Sequence, residues 1–358
     1  MAYWRPTDGF ASMIRFGQDF IPTRLPELRG MPLTTYPRVG YDGQFYAQLA
    51  IRPDVTAADL QLALDNPRYR ARRILLPCLA HVLGAGRPWL VVQAYALLNV
   101  AAWFLLAWWL HQRTADKGLA GTLCWGAVLL SLGALESVHL ALSDLPATVL
   151  LVGAVTAMEC GRNWLAALTF AAAGLTRETS ALAVGMFASP LGARHQGYRT
   201  RLLLGALALL PLGAWLLFLA CRLPAGDNGV QGNFDWPGAA LARHLWLCAT
   251  KISSGDAHLR HFFGPLAALG LGYQSLYLIW EARTDSSEWI RLALPFAILF
   301  WLLGDAVWEG YWAVARVCLP LSVAFYLHIP NDRRLPWRVL LTTLSLPHAL
   351  YRFWPDFP

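Results

Sequence analysis

Apolar stretches of helical length follow one another from residue 88 to the end of the chain. Ten segments have this character: 88–110, 118–140, 144–159, 163–175, 178–190, 201–221, 259–281, 290–308, 311–328 and 337–353. A helix that crosses a bilayer needs about 20 apolar residues, and several of these segments are shorter. The pair 163–175 and 178–190 also fits one helix broken at "TRET". The pattern predicts an all-α, polytopic membrane bundle of about ten transmembrane helices.

Residues 1–87 contain no apolar run long enough to span a bilayer. Apolar residues do recur there at helical spacing, which predicts a helix resting on a membrane or protein surface: Phe10, Met13, Ile14, Phe20 and Ile21. Thr56 followed by Asp59 fits a capping box that opens a short helix over 57–64. The apolar part of 73–86 is too short to cross. We therefore expect a juxtamembrane segment, 1–87, ahead of a transmembrane domain, 88–358.

Composition agrees with a membrane protein. Apolar residues make up 56% of the chain and charged residues only 14%, whereas soluble domains carry roughly a quarter charged residues. The net charge of +7 is therefore first a topology signal, and we expect membrane lipids rather than nucleic acid as partners. The six cysteines are scattered without a CxxC pair, which favours small apolar side chains over a disulfide framework.

Lysine and arginine in the short loops predict an orientation. If 88–110 runs from outside to inside, the basic loops fall on the cytoplasmic side, as the positive-inside bias requires: 111–117, 160–163, 191–201, 282–291 and 331–338. This parity counts 163–190 as two crossings and 73–86 as none. Asp42, Asp144, Glu178 and the loop 222–258 then lie near the outer face, which predicts an outward-facing polar cavity.

Asp42 stands among aromatic residues in "GYDGQFYAQLAIR", residues 40–52. A charged residue costs on the order of 2.5–3.5 kcal/mol at the centre of a membrane helix and less at the interface. One interpretation is that Asp42 caps a helix beginning near Gly43. The other is a site, in which Tyr41, Gln44 and Tyr46 form hydrogen bonds with a polyhydroxylated ligand.

Arginines crowd the next polar stretch, at positions 68, 70, 72 and 73. Guanidinium groups match phosphate geometry, so Arg68, Arg72 and Arg73 are candidates to bind a phosphate. Anionic lipid headgroups are the alternative ligand. Both interpretations hold together if the ligand is itself an anionic lipid.

Four further charged residues are candidates within the apolar region. Asp144 begins "DLP" and suits either a helix N-terminus or a site. Arg177 and Glu178 point apart on a regular helix, but both face a cavity if the helix breaks there. Arg316 lies about two turns after Glu309 and suits a buried counter-ion or a phosphate ligand.

The loop 222–258 is rich in glycine and asparagine and then amphipathic. Asp227, Asn233 and Asp235 are candidates to meet an acceptor sugar, although a plain connector is the simpler interpretation. His258 and His261 are three residues apart without a further placed ligand. We expect no metal cofactor, while Mg²⁺ or Mn²⁺ held by Asp42 with Asp144 stays open.

Three motifs resemble a known superfamily. "GYDGQFYAQLA", "LSDLPATVLLVGAV" and "AALTFAAAGLTRETSAL" are similar to bacterial membrane glycosyltransferases of the GT-C superfamily, of the PIG-V-like and cell-surface glycopolymer types. The similarity covers roughly residues 40–190. In such enzymes the first outer loop bears an acidic catalytic base, which Asp42 matches, and juxtamembrane helices follow it. Family members also carry a transmembrane helix before that loop, and residues 1–72 contain none.

The resemblance implies an inverting enzyme of the bacterial inner membrane. It would move a sugar from a polyprenyl-phosphate carrier to an extracytoplasmic glycan or glycolipid acceptor of the cell envelope. Asp42 would be the base, the arginines would hold the phosphate, and Asp144 and Glu178 would contact or support the sugar. Two alternatives stay open: a transporter or flippase of lipid-linked sugars, and a non-catalytic subunit that assists another membrane protein.

Overall fold

A computed structural model shows that the described residues fold mostly into helices. Described are residues 4–188, 198–224, 231–285, 287–330, 332 and 334–353. The α-helices are α1 Pro26–Arg29, α2 Gly43–Ile51, α3 Ala58–Ala63, α4 Pro67–Arg70, α5 Leu75–Leu83, α6 Pro88–Thr114, α7 Gly118–Leu129, α8 Leu132–His139, α9 Asp144–Glu159, α10 Asn163–Thr176, α11 Tyr198–Arg222, α12 Ala239–Ser253, α13 Leu259–Glu281, α14 Glu288–Leu302, α15 Asp305–Trp308, α16 Tyr311–Val317, α17 Leu319–His328, α18 Leu335–Thr342 and α19 Leu346–Phe353. Short 3-10 helices cover Phe10–Met13, Gln18–Phe20, Ala115–Lys117 and Glu178–Ala188. The predicted all-α class is confirmed.

Among the described residues, three stretches are long and apolar enough to cross a membrane: Pro88–Leu129, Arg199–Arg222 and Leu259–Glu281. The first comprises α6, a 3-10 turn and α7. Two shorter apolar helices, α10 and α17, accompany them. Since a crossing needs about 20 apolar residues, these three stretches indicate an association with a membrane.

Several of the ten predicted spans are interrupted. The segment 118–140 breaks at Leu130 and Ser131, and the Ser131 hydroxyl accepts the N–H of Ala134 to begin α8. The segment 311–328 breaks at Cys318, one residue before α17 begins. The segment 337–353 divides into α18 and α19. Apolar run length does not register such breaks, because a serine cap changes the hydropathy very little.

The amphipathic helix predicted near the N-terminus is wrong. Two 3-10 turns flank a two-residue strand there, β1 Phe16–Gly17, which pairs in parallel with β2 Thr35–Tyr36. Met13, Ile14 and Phe16 are all buried. The Gln93 side chain of α6 accepts the N–H of Phe10 at 2.7 Å and donates to the Asp8 carbonyl at 3.0 Å. The segment therefore packs as a cap on α6.

The short helix predicted over 57–64 is present as α3, but its predicted capping box is wrong. The Thr56 hydroxyl donates to Asp54 at 2.6 Å, and Asp59 pairs with Arg52. Helix α5 has nine residues, too few to cross a bilayer, as expected for 73–86.

Helix α9 lies at the centre of the bundle. It packs against α6, α8, α10, α14 and α17, and most of its residues from Asp144 to Met158 are buried. Asp144 is its first residue, so this carboxylate lies at one end of a largely buried helix. The candidate site forms around that end.

Candidate active site

Glycines place Asp42 at the start of α2. Gly40 has a φ of 64°, a left-handed conformation that glycine adopts without strain. Gly43 opens α2, and a Cβ there would lie 2.5 Å from the carbonyl oxygen of Leu140. The first turn of α2 therefore approaches the backbone after α8 closely enough to bring Asp42 beside the start of α9.

The Asp42 carboxylate binds an arginine rather than capping its helix. Asp42 occupies the N-cap position of α2, but its side chain makes no capping hydrogen bond. Its Oδ2 lies 3.0 Å from Nη1 of Arg70. Arg70 also holds Asp65 with two hydrogen bonds of 2.8 and 2.6 Å. The capping interpretation of Asp42 is therefore wrong.

The electrostatic environment keeps Asp42 ionised. Desolvation in the cavity acts to raise the pKa of the carboxyl, but the charge and hydrogen bond of Arg70, helped by Arg316 and Arg73, hold that pKa below its ordinary value. About 38% of the Asp42 side chain is exposed. Asp42 is thus a charged carboxylate with one oxygen engaged and with surface open to a ligand.

A second arginine links the juxtamembrane segment to the break after α10. Arg73 forms a two-fold ion pair with Glu178, at 2.9 and 3.0 Å, and also binds the hydroxyls of Tyr46 and Tyr69. Helix α10 ends at Thr176, and Arg177 adopts an extended backbone conformation before a 3-10 helix starts at Glu178. As predicted for a helix break, Arg177 and Glu178 both face the same cavity.

Two arginines hold Asp144. Its Oδ1 lies 2.8 Å from Nη1 of Arg177, and its Oδ2 lies 3.4 Å from Nη1 of Arg316. Only 1% of the Asp144 side chain is exposed. Ser143, not Asp144, takes the N-cap position of α9. The N-capping interpretation is wrong. Asp144 instead bridges Arg177 and Arg316, an arrangement that we call the Asp144 bridge.

Tyr41 connects the Asp144 bridge to Trp312 on α16. Its hydroxyl accepts hydrogen bonds from Arg316 at 2.9 Å and from the indole of Trp312 at 3.2 Å. The guanidinium of Arg352 stacks on Trp312 at 4.0 Å and pairs with the buried Glu136. The orientation of Arg316 is therefore set by groups on α9, α16 and the residue beside Asp42.

These groups enclose a cavity of about 340 Å³, which we call the arginine cavity. Its polar and aromatic lining comprises Tyr41, Asp42, Tyr69, Arg72, Arg73, Arg177, Glu178, Thr179, Asn233, Phe234 and Arg316. Arg73 pairs with Glu178, whereas Arg177 and Arg316 share the one carboxylate of Asp144. Within the described ranges Arg72 has no carboxylate partner, and its guanidinium stacks on Tyr69. The cavity thus holds more guanidinium than carboxylate charge, and Arg72 is the lining arginine left without an ion pair.

Four predicted ligand contacts do not line this cavity, and one of them is Asp144, whose side chain is only 1% exposed. Gln44 is buried, where it accepts the Gly17 N–H at 2.9 Å and donates to the Val39 carbonyl at 2.7 Å. Tyr46 is buried and binds Arg73. Arg68 is half-buried outside the cavity lining. Gln44 and Tyr46 therefore support the fold of the segment and leave no group for a ligand.

The relation predicted between Glu309 and Arg316 is also wrong, because the helix is not continuous. Helix α15 ends at Trp308 and α16 begins at Tyr311. Arg316 lines the arginine cavity, whereas Glu309 lines a different one.

Sequence reasoning missed the direct partners of Asp42 and Tyr41. Arg70 was one of four neighbouring arginines, and nothing in their spacing singles it out. Helix α4, capped by the side chain of Asn66, turns Arg70 toward Asp42. Trp312 had no signal of its own among the seventeen tryptophans.

The loop 222–258 is more ordered than a plain connector over its described part. Residues 232–235 are held against 302–306 by backbone hydrogen bonds, among them Gly304 N–H to the Asn233 carbonyl at 2.7 Å. Asn233 and Phe234 thereby line the arginine cavity, and α12 follows. Asp235 binds Arg243 instead of facing the cavity. Asp227 lies outside the described residues.

Across the described ranges, no group of three or more His, Cys, Asp or Glu side chains comes together to hold a metal ion. Asp42 and Asp144, considered above for Mg²⁺ or Mn²⁺, are each bound by arginine. The expectation that no metal cofactor is needed stays a prediction.

Chemically, the arginine cavity combines an accessible carboxylate with several guanidinium groups. Such a set can bind a phosphate and accept a proton from a neighbouring hydroxyl. No protein-family model, curated protein or solved structure matches this chain.

Proposed function

We propose that the protein is an inverting membrane glycosyltransferase that moves a sugar from a polyprenyl-phosphate donor to an extracytoplasmic acceptor. The acceptor is a glycan or glycolipid of the cell envelope. The observation behind the proposal is the arginine cavity, in which an ionised and partly exposed Asp42 stands beside arginines that include an uncompensated Arg72.

The donor explains the imbalance of charge in the cavity. A polyprenyl phosphate is a good leaving group, so the reaction needs no acid to protonate it. It needs cations that stabilise the departing phosphate, and guanidinium groups suit phosphate oxygens. Arg72 has no carboxylate to displace, so it binds the phosphate first, while Arg73, Arg177 and Arg316 supply a positive wall held in place by Glu178 and Asp144.

Asp42 acts as the general base. It takes the proton of the acceptor hydroxyl as that oxygen attacks the anomeric carbon, and the carbon–phosphate oxygen bond breaks on the opposite side. One in-line displacement inverts the anomeric configuration. Among the three carboxylates around the cavity, exposure favours Asp42: its side chain is 38% exposed, against 19% for Glu178 and 1% for Asp144.

The proposed topology is a multi-pass bundle of about ten crossings in the inner membrane, with the cavity on the extracytoplasmic side. Contacts at the two ends of α9 support it. Glu159, the last residue of α9, contacts Arg113 near the end of α6 and Trp289 at the start of α14. Asp144, the first residue, contacts Arg177 just after α10. These helices thus alternate between two ends, and two residues of the predicted basic loops, Arg113 and Arg291, belong to the helix ends that meet at Glu159, opposite Asp144.

Product formation tests the proposal. The purified chain in vesicles is given a panel of radiolabelled polyprenyl-phosphate hexoses and pentoses, and sugar released to water or to an added envelope glycan fraction is counted. The proposal predicts release or transfer of label from at least one donor. Movement of the intact labelled lipid across the vesicle, without cleavage, would instead identify a transporter.

A further inference from the structure

A second cavity lies next to the arginine cavity. It measures about 550 Å³ and sits between α12, the first turn of α13 and α15; we call it the histidine cavity. Its lining includes His244, Arg260, His261, Ala306, Trp308 and Glu309. Its size is that of an ordinary small-molecule site. Of these six residues, only Ala306 also lines the arginine cavity.

The short helix α15 lies between the two cavities. Val307 lines the arginine cavity, Trp308 lines the histidine cavity, and Ala306 lines both. Ala306 is exposed, and its side chain is a single methyl group. A ligand in the histidine cavity therefore lies directly beside the arginine cavity, with Ala306 on the border of both.

Two charged side chains of the histidine cavity are available to bind a ligand. Glu309 and Arg260 are both exposed, and neither has an ion-pair partner in the part of the chain that the structure describes. At the rim, Arg243 is already bound to Asp305 at 2.7 Å and to Asp235. The cavity thus offers one free carboxylate acceptor and one free guanidinium donor.

The remaining lining is apolar or neutral. Trp308 and Leu247 provide apolar surface, and the His244 ring lies 5.2 Å from the Trp308 ring. Burial, aided by the nearby His261, lowers the pKa of His244, so its imidazole is neutral at neutral pH. A neutral imidazole both donates and accepts a hydrogen bond.

This combination suits a saccharide. A sugar ring presents hydroxyls, which donate to a carboxylate and accept from a guanidinium, together with apolar C–H faces. A lipid acyl chain would instead remove Glu309 and Arg260 from water without providing them with a hydrogen bond, which is costly. The chemistry of the lining therefore favours a hydroxyl-rich ligand.

We propose that the histidine cavity binds the saccharide part of the acceptor and presents one of its hydroxyls over Ala306 to Asp42. This inference rests on the proposed function. Glu309 and Arg260 bind the sugar on one side of α15, and the donor phosphate binds on the other side. The acceptor hydroxyl reaches the donor at Ala306, which borders both cavities. The transfer itself proceeds as described above, with the acceptor proton passing to Asp42.

Saturation-transfer NMR on the purified full chain tests the inference, with a panel of methyl glycosides of common hexoses and N-acetylhexosamines at millimolar concentration as probes. We expect saturation transfer to at least one glycoside. We expect Glu309→Gln to weaken that binding about 5- to 10-fold, because a charge-assisted hydrogen bond becomes a neutral one. Asp116→Asn, an exposed carboxylate after α6, is the matched control and leaves binding unchanged.

Two results would overturn the inference: no saturation transfer to any glycoside, or equal binding by wild type and Glu309→Gln. A phospholipid or detergent chain found in the cavity would also overturn it. A parallel titration with undecaprenyl phosphate separates this inference from the proposed function. Lipid-phosphate binding without glycoside binding removes the acceptor cavity alone, whereas glycoside binding without lipid-phosphate binding removes the donor site alone.

Discussion

The two ends of helix α9 use the same residue types in different ways. At its last residue, Glu159 pairs with Arg113 and accepts a hydrogen bond from Trp289 at 2.7 Å. At its first residue, about 22 Å away along the helix, Asp144 is held by two arginines. The Glu159 side chain is 31% exposed and that of Asp144 is 1% exposed.

Of these two ends, the Asp144 end lies beside a cavity whose lining includes an arginine without an ion-pair partner. The carboxylates there are surrounded by arginines from separate parts of the chain, and Arg72 is left over. The Arg113–Glu159 pair closes a helix end and leaves neither group free. Arginine and carboxylate content alone therefore does not identify a binding site. A cavity whose lining includes an arginine without a carboxylate partner does.

Removing the proposed base has the largest expected effect on the Asp144 end. Asp42→Asn lowers the rate of sugar release or transfer about 10²–10⁴-fold, the usual contribution of a positioned general base. Arg70 keeps its two hydrogen bonds to Asp65, so the cavity wall stays in place in this variant. Undecaprenyl-phosphate binding and thermal stability, measured alongside, should change little. Unchanged turnover in Asp42→Asn would exclude the role.

The next largest expected effect is the loss of stability when the Asp144 bridge is removed. Asp144→Asn leaves Arg177 and Arg316 without their shared carboxylate in a buried site, and breaking a buried pair costs about 3–5 kcal/mol. Glu159→Gln at the other end of α9 removes a partly exposed partner, which costs about 0–1 kcal/mol. Thermal unfolding of the two variants in the same detergent measures the difference. Equal loss of stability would show that the two ends are not distinct.

The uncompensated cation has an intermediate effect. Arg72→Gln weakens undecaprenyl-phosphate binding about 10- to 100-fold, the range for hydrogen bonds to a charged group. Arg68→Gln is the matched control, since Arg68 is four residues earlier and does not line the cavity. Its expected change is less than about 2-fold, because a charge outside the cavity and partly in contact with water contributes little. Equal weakening by both variants would point to general attraction of anionic lipid.

The pH dependence is the finest test. The pKa of Asp42 is held below its ordinary value, so the base form persists as pH falls and is lost only through that lowered pKa. The profile of kcat/KM should therefore be flat from about pH 8 to pH 5 as far as Asp42 is concerned, with its acid limb below about pH 4. An acid limb centred near pH 6 to 7 would assign the base to another group.

Local sequence predicted where some of the lining residues lie. The aspartate between Tyr41 and Gly43 indicated a carboxylate that faces a polar cavity, and the "TRET" break indicated that Arg177 and Glu178 face one cavity. Both follow from short-range geometry: a glycine that permits close approach, and a helix that stops at Thr176.

Long-range contacts were not predictable from spacing. Arg70 reaches Asp42 because α4 ends in a turn, and Gln44 turns inward to satisfy the backbone of Gly17 and Val39. Residues 10–13 pack against α6 as a single 3-10 turn and not as part of an amphipathic α-helix. Hydropathy records which side chains avoid water, but not which neighbour covers them.

The most direct measurement is a cryo-electron-microscopy map of the chain in lipid nanodiscs saturated with undecaprenyl phosphate. We expect phosphate density in the arginine cavity, within hydrogen-bond distance of Arg72, on the side of Asp42 that Arg70 leaves open. Phosphate density beside Arg68, at the Glu159 end of the bundle, or nowhere on the protein would contradict it.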